Sequence, residues 1–167
     1  VVNTKLAQMT DYTDLCDAKY KGKTSMRLKR PTLLAFAFAS GKDPFKLYSD
    51  PKAYAALMDE VGKKLASCKG NIKFFWDNKD QLLNGARTGE IVGAMMWDTG
   101  GWKLNSENPD IQFIAPKSGA LGWIDTYALP AKGRNDAAAY DWINFNMRAQ
   151  IAAKVAAWVG NFTDAKG

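Results

Sequence analysis

Residues 72–97, IKFFWDNKDQLLNGARTGEIVGAMMW, read in three pieces. Ile72 to Trp76 and Ile91 to Trp97 are short apolar runs bounded by Gly, Asn or Asp, which is the pattern of buried strands. Between them, Asn78 with Gln81 three residues on resembles a capping box, and Gly89 closes the segment as a helix. Strand, helix and strand in succession form the unit of layered α/β folds.

The same alternation extends outward. Downstream, Ile111 to Ala115 and Trp123 to Leu129 are two more strand-like runs. Asn135 then caps a long helical region, Asp136 to Val159, with a bend expected near Arg148-Ala149. Upstream, Val1-Val2-Asn3 reads as strand, Thr10 to Ala18 as a short helix capped by Thr10, and Lys23 to Leu28 as strand. Pro31 sits where a first helical turn tolerates proline, and Thr32 to Ser40 is apolar nearly all round. Asp50-Pro51 is a helix start, and Tyr54, Leu57, Met58, Val61 and Leu65 follow at helical spacing until Cys68-Lys69-Gly70. Gly100-Gly101 reads as a turn. The expected fold is one α/β domain, residues 1–167, in three layers: a central mixed, mostly parallel sheet flanked by helices.

Composition narrows the function. With 167 residues, 47% hydrophobic and 24% charged, the chain has the balance of a globular domain. The net charge of +6 is spread along the chain, with only Arg27, Lys29 and Arg30 tightly grouped, so nucleic acid is not an expected partner. There is no histidine, which removes the commonest general base and metal ligand. Cys16 and Cys68 cannot make a zinc site alone; they are either a disulfide or two buried thiols. No apolar run is long enough to span a membrane, and the sequence as it stands reads without a signal-peptide pattern. The opening at Val1 without a Met is the look of a mature or trimmed fragment.

Catalytic signatures are missing. No G-x-S-x-G elbow, P-loop or G-x-G-x-x-G occurs, and a Ser/His or Cys/His pair cannot form. Neither a catalytic role nor a cofactor is expected. Aromatic residues at strand ends stand out instead. Trp97-Asp98 closes one strand and Trp123-Ile124-Asp125 opens another, where residues two apart share a face. An indole face attracts a cation by about 0.5–2 kcal/mol, and a carboxylate adds a charge-assisted hydrogen bond. Trp123 with Asp125 is therefore a grip for a primary amine. By spacing alone the pair also fits a packed Trp beside a solvated Asp.

Several stretches carry a family likeness. Gly89 to Trp97 resembles the "GE-x-x-x-G-x-x-W" segment of periplasmic spermidine/putrescine-binding proteins. Gly122-Trp123-Ile124-Asp125-Thr126-Tyr127-Ala128-Leu129-Pro130 is similar to their "W-x-D-S-x-A-I-P" strand. Trp142-Ile143-Asn144-Phe145 resembles their "I-N-F-L" helix, and Asp14-Leu15 with Tyr20-Lys21-Gly22 their "W-x-D-L…Y-K-G". The likeness spans almost the whole chain in the same order. It implies the second lobe of a type II periplasmic binding protein, whose partners are the first lobe, a small amine ligand and an ABC permease. It also implies location in the periplasm, or outside the membrane of a Gram-positive cell, and it favours the disulfide between Cys16 and Cys68. By resemblance, Trp97, Trp123 and Asp125 match the positions that sandwich a polyamine and bind its amine.

Two departures shape the expected ligand. Where the family has acidic residues after the second strand, this chain has Lys29, Arg30, Pro31 and Thr32. Basic residues at a helix start suit an anion and repel an amine. The family's tyrosine after the last helix falls near Asn161 and Phe162. A ligand with an amine at one end and a carboxylate or similar anion at the other fits better than a long diamine. The candidate ligand-binding residues are thus Trp97, Asp98, Trp123, Asp125, Lys29, Arg30 and Thr32. The alternatives are an anion or ferric-ion receptor of the same fold, and an α/β enzyme. An isolated lobe would expose Trp97 and Trp123 and could form a homodimer through them.

Overall fold

Short strands, each only two to four residues long, build the sheet of the computed structural model, which describes residues 1–159. They are β1 (Val2–Asn3), β2 (Thr24–Met26), β3 (Ile72–Phe75), β4 (Gly93–Ala94) and β5 (Ile111–Gln112). Their spatial order is β3-β2-β4-β1-β5. β2 lies parallel to β3 and β4, whereas β1 is antiparallel to β4 and β5. The sheet is therefore mixed, with its parallel half at the β3 side.

Helices cover both faces. On one lie α1 (Arg30–Ala39) and α2 (Pro51–Cys68), whose Phe36, Leu57 and Val61 share a core with Val2, Met26 and Ile72. On the other lie α3 (Lys79–Arg87) and α4 (Asp98–Glu107), whose Leu82, Leu83 and Leu104 meet Val1, Ile91 and Ile111. Val1 and Val2 enter opposite cores because successive strand side chains point to opposite faces. Phe74 and Phe75 divide in the same way. Burying a side chain such as Phe36, which is fully enclosed, contributes about 1.5–3 kcal/mol.

The helix starts follow their sequence signals. The Asp50 carboxylate accepts from the Lys52 and Ala53 N–H groups at 3.1 and 3.0 Å, with Pro51 as the first helical residue. Asn78 caps α3 through the Asp80 N–H at 2.8 Å. The cap ahead of the 3-10 turn Tyr12–Cys16 is Asp11 and not Thr10, and it forms a reciprocal capping box with Asp14. Cys16 at the end of that turn is joined to Cys68 at the end of α2 by a disulfide.

Two further expectations are corrected. Gly100-Gly101 is not a turn: both glycines lie buried inside α4. A Cβ on Gly101 would come 2.3 Å from Phe113, so the helix keeps glycine there to approach the segment after β5. Trp123 to Leu129 is not a strand. Its apolar residues form a short run bounded by Gly122 and Pro130, but Gly122 to Ala128 are all exposed and make no ladder. A short apolar run favours a strand only where it has a neighbour to bury against.

Contacts divide the chain into two compact units, Val1–Leu121 and the stretch from Gly122 onward. The sheet and its four covering helices make up the first. The second holds α5 (Asp136–Asn146) and α6 (Ala149–Val159). The predicted helical region is broken at Met147-Arg148, close to the expected bend, and the Arg148 carbonyl starts α6 by accepting from the Ile151 and Ala152 N–H groups.

Candidate functional site

In the first unit, a basic and aromatic cluster gathers where β2, β3 and β4 end. Trp76 follows β3 and is buried; its indole N–H donates to the Met95 carbonyl at 3.0 Å. Its backbone N–H donates to the Met26 carbonyl at 3.1 Å, carrying the parallel ladder one residue past the strand. Trp97, the residue before α4, meets Trp76 edge to face with ring centroids 5.1 Å apart. Trp97 is only partly covered, with 37% of its surface exposed.

Arg27, just past β2, lays its guanidinium over both rings, 4.6 Å from the Trp97 centroid and 5.2 Å from that of Trp76. Its carbonyl accepts from the Lys29 N–H at 2.9 Å and from the Thr32 hydroxyl. Thr32 is buried, and its hydroxyl serves the turn before α1 instead of facing outward. Lys29 is the cap residue of α1 and makes no side-chain cap bond. Lys29 and Arg27 approach the same Asp77 oxygen at 3.6 and 3.7 Å, and that carboxylate is largely exposed. Such long, solvated pairs bind weakly.

Arg30 turns elsewhere. It donates to the Tyr48 hydroxyl at 2.7 Å and stacks over that ring at 5.5 Å. Hydrogen bonding to Tyr54 and Tyr48 raises its pKa above the usual arginine value. Asp98 opens α4, where its carboxylate takes the Thr99 N–H at 2.8 Å. A carboxylate there is also favoured by the helix dipole.

In the second unit, the Trp123 indole N–H donates to an Asp125 carboxylate oxygen at 3.2 Å, and both side chains are exposed. The two meet although no strand holds them. Nearby in sequence, Tyr127 sits edge to face on Trp142 of α5, centroids 5.3 Å apart, which ties this extended segment to the helix after it. Asn161 and Phe162 lie outside the described residues.

The structure thus brings Trp97 and Lys29 to one cluster, with Thr32 supporting it from below, and brings Trp123 to Asp125; Arg30 faces the tyrosines. Reading the sequence singled out neither Arg27 nor Trp76 nor Asp77 as site residues. The signal for Arg27 was its place in the one tight basic group. Trp76 was visible only as the last residue of a strand. Among the described residues, no group of three or more Cys, Asp or Glu side chains is placed to hold a metal ion.

Comparison with known proteins bears on this geometry. The spermidine/putrescine-binding periplasmic protein of Escherichia coli (strain K12) is 29% identical over 153 residues, covering 91% of this chain and 42% of that protein. The spermidine/putrescine-binding periplasmic protein 1 of Haemophilus influenzae is 25% identical over 154 residues, covering 92% of this chain and 41% of that protein. The chain spans about two fifths of the length of these curated relatives. Among solved structures, the spermidine/putrescine ABC transporter substrate-binding protein PotD of Streptococcus pneumoniae has the same fold, with a TM-score of 0.77 and 20% identity over 98% of this chain and 49% of that one. Residues 1–166 match the model of one family, and the chain belongs to it: the bacterial extracellular solute-binding proteins.

Proposed function

We propose that this chain is the second, ligand-gripping lobe of a periplasmic or extracellular receptor that hands a small amine-bearing solute to an ABC permease. The observation that carries this reading is the exposed Trp123–Asp125 pair, an indole beside a carboxylate that it holds by one hydrogen bond at 3.2 Å. An ammonium placed there meets the ring face, worth about 0.5–2 kcal/mol, and the carboxylate, worth about 1.5–3 kcal/mol as a charged hydrogen bond. Because the indole N–H already orients the carboxylate, less freedom is lost on binding. The names of the relatives, which specify spermidine and putrescine, support an amine as the solute. Capture takes place as this lobe and a first lobe close on the solute. The family is one of solute binders, and turnover is not expected.

The test is calorimetric titration of the two-lobed receptor with putrescine, spermidine, basic amino acids and opine-like amine–carboxylate conjugates. Micromolar or tighter binding of at least one amine, with the ligand recovered unchanged, is the expected result. Failure of every amine would overturn the reading. A second reading, an anion receptor of the same fold, is favoured by the basic group Arg27, Lys29 and Arg30. Tight phosphate or sulfate binding with no need for an amine would select it.

A further inference from the structure

We infer that Arg27, resting on Trp76 and Trp97, is an anion-recognising residue that selects solutes carrying a carboxylate. The inference rests on the solute-receptor reading above and narrows its ligand class.

One face of Trp97 is not free for a cationic solute. A guanidinium already covers it at 4.6 Å and leans on Trp76 as well. A second cation at the same ring would meet Arg27 and Lys29 together, and like charges at close range repel. Among the described residues, one carboxylate oxygen pairs with these two cations, at 3.6 and 3.7 Å, and it sits on Asp77, a residue largely in solvent. Asp98, next to Trp97, spends an oxygen on its own helix. Arg27 and Lys29 therefore share one long, solvated carboxylate contact, which holds them weakly and leaves them able to meet a further anion.

Arg27 is also held as a recognition residue is held. Its carbonyl is fixed by Lys29 and Thr32, its side chain by two rings, and Trp76 is itself anchored to Met95. Its Nε is buried without a hydrogen-bond partner among the described residues, while about a quarter of the side chain stays exposed. A planar guanidinium on a rigid aromatic platform presents a fork that fits a carboxylate and is poorly replaced by an ammonium. Arg27 calls for a carboxylate on the solute, and the amine-receptor reading calls for an ammonium. An ω-amino acid, or a larger conjugate with both groups, carries both.

The test uses matched straight-chain solutes of equal length: the diamine, the ω-amino acid and the diacid, in four- to six-carbon series, each titrated against the two-lobed receptor. An ω-amino acid is expected to bind at least about tenfold tighter than its diamine, the worth of one charge-assisted bond. Arg27→Met, which keeps an apolar stem over the rings, should abolish that preference, and Arg27→Lys should restore it only in part. A thermal melt of each variant shows that it folds. If the diamine binds as tightly as the ω-amino acid, or Arg27→Met leaves the preference intact, the assignment of Arg27 is overturned while the amine receptor stands. Arg27-dependent binding of the diacid alone would keep Arg27 and overturn the amine reading. No binding by any member overturns both.

Discussion

Trp76 and Trp97 meet edge to face, 5.1 Å between centroids, and they join the end of β3 to the start of α4. The two rings differ in what they hold up. Trp76 is buried and hydrogen-bonded to Met95, so Trp76→Ala should cost about 3–5 kcal/mol of stability through the cavity it leaves. Trp97 is partly exposed, and Trp97→Ala should cost only about 1–2 kcal/mol, the worth of a ring pair and a cation–π contact. Denaturant unfolding of both variants measures the difference. Equal costs would mean that Trp97 is as much a core residue as Trp76.

At the second unit, the charge on Asp125 is the point at issue. Asp125→Asn keeps the size and can still accept from the Trp123 indole, yet it removes the charge that an ammonium would meet. Affinity for amine solutes should fall by about ten- to hundredfold, the loss of one charged hydrogen bond. Calorimetry on the two-lobed receptor reads this directly. Unchanged affinity would remove Asp125 from the binding set.

Much of the fold was legible because its signals are local. Asp50-Pro51 and Asn78 announce α2 and α3 through side chains that bond to the next turn, so a few residues of sequence suffice. Trp123 to Leu129 misled because a short apolar run shows strand-like residues but not whether a neighbouring strand exists. α4 was hidden because Gly100 and Gly101 are poor helix formers, and their reason for being there is Phe113. The role of Arg27 depends on two rings distant in sequence, Trp76 and Trp97. No spacing rule could bring these three together before the sheet did.

The Cys16–Cys68 disulfide ties a 3-10 turn to the end of α2 across a separation of 52 residues. Closing a loop of that size in the unfolded chain is worth about 4 kcal/mol by loop entropy. The Cys16→Ser, Cys68→Ser double variant should therefore melt well below the oxidised parent, and reductant should lower the parent's midpoint to match. If reductant leaves the midpoint where it is, the bond either resists reduction or contributes little; a free-thiol count in denaturant separates the two.

Glu107 on α4 and Arg87 on α3 form a paired contact at 2.6 and 2.8 Å. Hydrogen bonding to the guanidinium lowers the Glu107 carboxyl pKa below its usual value of 4.5. A depressed carboxyl contributes stability above its unfolded pKa and loses it as the pH falls through the folded value. Both side chains are substantially exposed, so the effect is modest and sensitive to salt. Following the Glu107 carboxyl by NMR should show titration below that of free glutamate, and Arg87→Gln should move it back up. A carboxyl that titrates normally in the parent would show that the pair does not persist in solution.

Two glycines in helices should respond to alanine with opposite signs. Gly62 lies within α2, and a Cβ there would meet nothing within 4 Å. Gly62→Ala gains the helix propensity difference, about 0.8–1 kcal/mol, at no steric cost. Gly101 lies within α4, where the same Cβ would stand 2.3 Å from Phe113 Cδ2 and 2.9 Å from its Cβ. The propensity gain is the same, but overpacking a buried site costs about 1–3 kcal/mol. The ring cannot swing clear without moving its own Cβ, so the steric cost should win and Gly101→Ala should destabilise. Paired denaturant titrations decide the matter. A stabilised Gly101→Ala would mean that the segment after β5 yields easily, and that the close approach of α4 to Phe113 does not hold the helix in place.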